Sequence, residues 1–167
     1  MKSKIHEHQK NTKFYVSKKI LFTLLFIAFN LVGFAQETSS YDEALAKKFG
    51  GDERGMKTYV FCILKTGTNT TATAEEKKVL FDGHMANIKK LADENKLVVA
   101  GPFMKNDKNY RGIFIFNCTT IEEAEKLVNS DPAVQAKIFE ADLTVWYGSA
   151  ALGATKEIHD KISKPKK

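Results

Sequence analysis

Two apolar rhythms share the chain from residue 57 onward. TYVFCILK (58–65), KLVVAGPF (96–103) and RGIFIFNC (111–118) are short runs of aromatic and β-branched residues, the signature of buried strands. Between them the spacing changes to three and four. Leu80, Phe81, Met85, Ile88, Leu91 and Ala92 lie on one face of a helix, at about 100° per residue. Thr73 with Glu76 forms a capping box at its start, and the pattern predicts a helix to about Asn95. A second box, Thr120 with Glu123, opens a helix whose stripe is Ile121, Ala124, Leu127 and Val128. Ser130-Asp131-Pro132 then interrupts, a helical turn runs to Ala136, and Ala141 to Tyr147 forms a fourth strand. TGTNTTAT (66–73) and Lys105 to Tyr110 are loops.

The order is β-α-β-β-α-β, the split βαβ arrangement of ferredoxin-like α+β folds, with a four-stranded antiparallel-type sheet. The strands are apolar on both faces. Tyr59, Phe61 and Ile63 alternate with Val60, Cys62 and Leu64, and Ile113 and Ile115 with Phe114 and Phe116. Two helices cover one face, so the second needs a cover of its own. A second copy of the same sheet is the simplest, which predicts a homodimer of the dimeric α+β barrel kind.

The first 35 residues modify this picture. Six lysines (Lys2, Lys4, Lys10, Lys13, Lys18, Lys19) precede the uncharged run of residues 20–35, which ends in Gly33 and Ala35. That is the three-part pattern of a secretory signal peptide cleaved after Ala35. It predicts a periplasmic or secreted protein with no membrane attachment after cleavage. The mature chain then has a short helical stripe (Tyr41, Leu45, Phe49) within 36–55, a domain over 56–150 and a basic tail over 151–167. Charge follows the same division. The whole chain carries 26 basic and 20 acidic residues; without the leader's six lysines and Glu7 the balance is 20 to 19. Residues 57–149 hold 12 of each. No nucleic-acid partner is expected from so even a domain. The two cysteines, Cys62 and Cys118, sit in strand-like runs and read as free buried thiols rather than a bridge.

Chemistry enters through His84, which falls inside the apolar stripe of the first long helix, while Asp82, Lys89, Lys90, Asp93 and Glu94 fall outside it. An imidazole is costly to desolvate and well suited to moving protons near neutral pH. Either the fold satisfies it internally, or a pocket opens there. Asp131 before Pro132 is an N-cap with proline in the first helical position; a cap uses one carboxylate oxygen and leaves the other. Gly101-Pro102 is either a strand-ending turn or a pocket wall, Ser130 either a ligand donor or part of the cap, and Arg111 either an anion site or a solvated strand end. Trp146 and Tyr147 read as packing residues.

His84, KLVVAGPF, RGIFIF, EEAEKLVNSDPAV (122–134) and Trp146, in that order, resemble the YciI-related (YCII) family over about 56–150. The resemblance implies a dimeric α+β barrel and a site built from His84 and Asp131. A histidine paired with a carboxylate suits lyase or isomerase chemistry on a small aromatic or enolisable compound, with no metal or cofactor expected. Gly101, Pro102, Ser130 and Arg111 would bind the ligand. Two other readings of the same barrel are a non-catalytic binding module and a haem site with one axial histidine.

Overall fold

The computed structural model describes residues 41–164; the leader and its cleavage after Ala35 lie outside them. The elements are α1 (Glu43–Phe49), β1 (Met56–Thr66), α2 (Ala74–Asp93), β2 (Leu97–Pro102), β3 (Tyr110–Phe116), α3 (Ile121–Val128), α4 (Pro132–Gln135) and β4 (Phe139–Ser149). A 3-10 turn (Ala150–Ala154) and α5 (Thr155–Ile162) follow. The four strands form one antiparallel sheet in the order β2-β3-β1-β4. This α+β topology is the expected ferredoxin-like one. Among the described residues, no helix is long and apolar enough to cross a membrane.

Of the two expected capping boxes, the first closes and the second is half made. The Thr73 hydroxyl accepts from the Glu76 backbone N–H and the Glu76 carboxylate from that of Thr73, closing the box that starts α2. At α3 the Thr120 hydroxyl accepts from the Glu123 N–H, which satisfies an otherwise free first-turn donor.

The strand alternation divides the core between the faces. Val60, Cys62, Leu64, Phe114 and Phe116 meet α2, α3 and α4 through Leu91, Ala124, Val128 and Ala133. On the other face Tyr59, Val98 and Ile115 form a smaller cluster with Phe61, Val99 and Leu152. Cys62 and Cys118 are free and buried. Desolvation pushes the Cys62 thiol up to about 12 and that of Cys118 up to about 11.

Three features differ from the sequence expectation. β4 begins at Phe139 rather than Ala141, because α4 ends in a tight turn with Lys137 at φ 54° and the Ile138 N–H bonded to the Ala133 carbonyl. The chain is therefore already extended at Phe139. Residues 151–162, part of the stretch 151–167 read as a basic tail, are folded. Leu152 packs on the second sheet face, Phe49 of α1 lies against Gly153, and Lys156 reaches Asp93 at the end of α2. Finally, the apolar stripe of α2 splits. Leu91 is buried and Leu80 and Ile88 pack on the core, whereas Phe81 and Met85 are exposed, the latter by 58%.

Candidate functional site

The exposure of Phe81 and Met85 follows from an opening beneath α2. A cavity of about 320 Å³ lies between this helix and the sheet, bounded by Leu64, Ile88, Phe114 and Phe139, with Phe81 and Met85 at its rim. His84 lies in its wall and is 8% exposed. Its ring sits among three aromatic rings, with centroid distances of 5.3 Å to Phe139, 5.9 Å to Phe114 and 6.2 Å to Phe81. This packing holds the imidazole in one orientation.

Asp131 has no exposed surface and does two things at once. Its Oδ1 accepts from the Ala133 backbone N–H at 2.9 Å, capping α4, and its Oδ2 is 2.5 Å from His84 Nδ1. A carboxylate only accepts, so opposite it Nδ1 is the donor, and the neutral ring in this pairing is the Nδ1–H tautomer. His84 Nε2 has no protein partner. Yet among the described residues no buried side-chain nitrogen or oxygen lacks one, so Nε2 is the part of the ring that opens to the cavity. Asp131 does not line the cavity and touches it only through His84, which makes it a positioning residue.

Gly83 explains how the long helix α2 and the single turn of α4 bring these side chains together. A Cβ there would lie 3.0 Å from Pro132 Cγ, so the missing side chain lets α4 approach α2 directly beside the pair. Glycine within a helix costs about 1 kcal/mol relative to alanine. Its place next to a histidine on the buried stripe was the available sequence signal for this close contact, and sequence reasoning missed it. It also missed Phe81, Phe114 and Phe139, which reach the His84 ring from α2, β3 and β4 and become neighbours only once helix and sheet pack.

Gly101, Pro102 and Arg111 lie in the cavity wall as well. Gly112 belongs beside them; a Cβ there would come within 2.9 Å of the Gly101 carbonyl oxygen. Ser130 is placed differently from these residues. It is not in the wall, and its hydroxyl donates to the Leu127 carbonyl at 2.6 Å with Asn87 Oδ1 at 3.1 Å. At the end of α3 a serine hydroxyl finds the carbonyl three residues back more readily than a ligand. Among the described residues, no three His, Cys, Asp or Glu side chains are grouped to hold a metal ion. A larger depression of about 640 Å³ lies at the start of α2, lined by Asn69, Thr71, Glu75 and Val79. It holds no buried ionisable group, so the smaller cavity is the candidate site.

The family model for the YCII-related domain matches residues 59–146. Among solved structures, one similar chain is a 5-chloro-2-hydroxyhydroquinone dehydrochlorinase from Burkholderia phenoliruptrix AC1100, in complex with 2,5-dihydroxybenzoquinone. It is 21% identical with a TM-score of 0.38, over 52% of this chain and 92% of that one. No curated protein matches the chain.

Proposed function

The chain belongs to the YCII-related domain family, and from that premise we propose that it is an exported small-molecule lyase or isomerase in which His84 moves the proton. One observation carries this reading: an imidazole whose Nδ1 is tied to a buried carboxylate while Nε2 opens on an apolar cavity. In the Nδ1–H tautomer Nε2 carries a lone pair, and it takes a proton from an acidic C–H or phenolic O–H of the bound molecule. The imidazolium that forms is paired at once with Asp131, so no uncompensated charge arises in the core. The same nitrogen then returns the proton to a second atom or to a leaving group. A positioned base of this kind contributes about 10²- to 10⁴-fold in rate. Covalent catalysis is a poor fit, because Cys62 and Cys118 are buried thiols held protonated by desolvation.

The proposal includes a second copy of the chain. Trp146 (39% exposed) and the half-buried Phe61, Ile63 and Ile113 leave the second sheet face apolar beyond the reach of Leu152. A matching face is its cover.

Mass spectrometry of small molecules that co-purify with the mature protein, against His84→Ala, tests the reading. A compound retained by the wild type and turned over by it, with turnover lost in His84→Ala, is the expected result. Equal retention by both proteins with no turnover by either would overturn it and favour a carrier or sensor.

A further inference from the structure

His84 and Arg111 are the two ionisable side chains in the cavity wall; the remainder of the lining is aliphatic, aromatic or glycine. Arg111 Nε donates to Thr66 Oγ1 at 2.7 Å, which anchors the guanidinium from the strand side. Among the described residues no carboxylate lies within ion-pairing distance of it, whereas Lys65, opposite Tyr110 on the adjacent strand β1, is paired with Asp142. A guanidinium held through Nε cannot use its Nε–Nη edge on a ligand. Its two terminal nitrogens remain, and together they match the two oxygens of a carboxylate.

Resting on the acid–base reading above, we infer that the substrate is a small organic carboxylate, with Arg111 holding the anionic end and the apolar cavity its body. Arg111 is then the specificity-determining residue. The chemistry follows from the wall. An apolar cavity of about 320 Å³ accepts a ring or short branched skeleton. A charged group on that skeleton has one cation to meet, at the rim, where it keeps part of its hydration. The carboxylate thereby sets which atom of the body is presented to Nε2. A neutral isostere fills the same space but leaves the guanidinium without a partner.

Benzoate and benzamide, nearly equal in shape and different in charge, provide the test. Each is titrated into the folded protein while the backbone amide resonances of Gly101 and Gly112 report binding at the cavity. Benzoate is expected to saturate these shifts at a concentration about tenfold below benzamide, consistent with one partly exposed charge-assisted contact. Arg111→Gln should bring the two to the same affinity, and Arg111→Lys should restore part of the gap. Matching thermal melts for the variants exclude misfolding. If both probes shift Gly101 and Gly112 equally and Arg111→Gln changes neither, charge selection is wrong while the cavity as binding site stands. If neither probe shifts those amides in the wild type, both this inference and the cavity reading fall.

Discussion

The two faces of one sheet solve the burial of apolar residues differently. On the helix-covered face every strand residue from Val60 to Phe116 is sealed, except where the cavity beside His84 interrupts the packing. On the opposite face Tyr59 is fully buried beneath the C-terminal segment, but Trp146, its register partner on the neighbouring strand β4 with ring centroids 6.0 Å apart, is open to solvent. A gap inside a closed core that contains a paired histidine marks a place for a small molecule. An apolar flank of Phe61, Ile63 and Trp146, bordered by Thr144 and the Lys65–Asp142 pair, is the place proposed for another protein surface.

The largest effect should come from breaking the pair on the closed face. Asp131→Ala removes the α4 cap and leaves His84 without its buried partner, and should cost about 3–5 kcal/mol in urea unfolding. Asp131→Asn, which retains an acceptor for the cap, should cost less than half of that. On the open face, Trp146→Glu should leave the monomer fold intact and raise the dimer dissociation constant about 30-fold, the effect of a hot-spot loss of about 2 kcal/mol. Sedimentation velocity reads this; an unchanged mass would remove the second copy from the account.

Gly83→Ala sharpens the comparison, because it touches geometry more than stability. The gain in helix propensity, about 1 kcal/mol, opposes a contact of 3.0 Å with Pro132. The melting temperature should move little while turnover falls. The smallest signal concerns the thiols. Both should be inert to a disulfide reagent at pH 8 in the native state and react on unfolding. Their raised values (about 12 and about 11, against 9.0) mean that the unfolded chain loses these protons first. Stability therefore falls as pH rises above 9, and Cys62→Val should flatten part of that fall.

Elements with local chemistry were legible in the sequence. Thr73 with Glu76, Thr120 with Glu123 and Asp131-Pro132 each announce a helix start, and the strands between them have few other ways to be buried. His84 was legible for the same reason, as a polar residue at an apolar position. Features set by packing across elements were not. Met85 has the spacing of a core residue and lies at a rim because the space beneath it is unfilled. Ser130 stands beside Asp131 in sequence, yet its hydroxyl turns back to Leu127. Residues 155–162 look like a solvated tail because α5 buries none of its own side chains; it is folded through the 3-10 turn before it and the Lys156–Asp93 and Lys48–Glu157 contacts.

The central claim is that Asp131 fixes His84 with its proton on Nδ1 and its lone pair on Nε2 toward the cavity. Ring nitrogen resonances of His84, identified by their loss in His84→Gln, test this most directly. The account predicts the Nδ1–H tautomer, with a strongly deshielded Nδ1 proton that disappears in Asp131→Ala and an Nε2 resonance that shifts when benzoate is added. An Nε2–H tautomer, or an Nδ1 proton indifferent to Asp131→Ala, would contradict it.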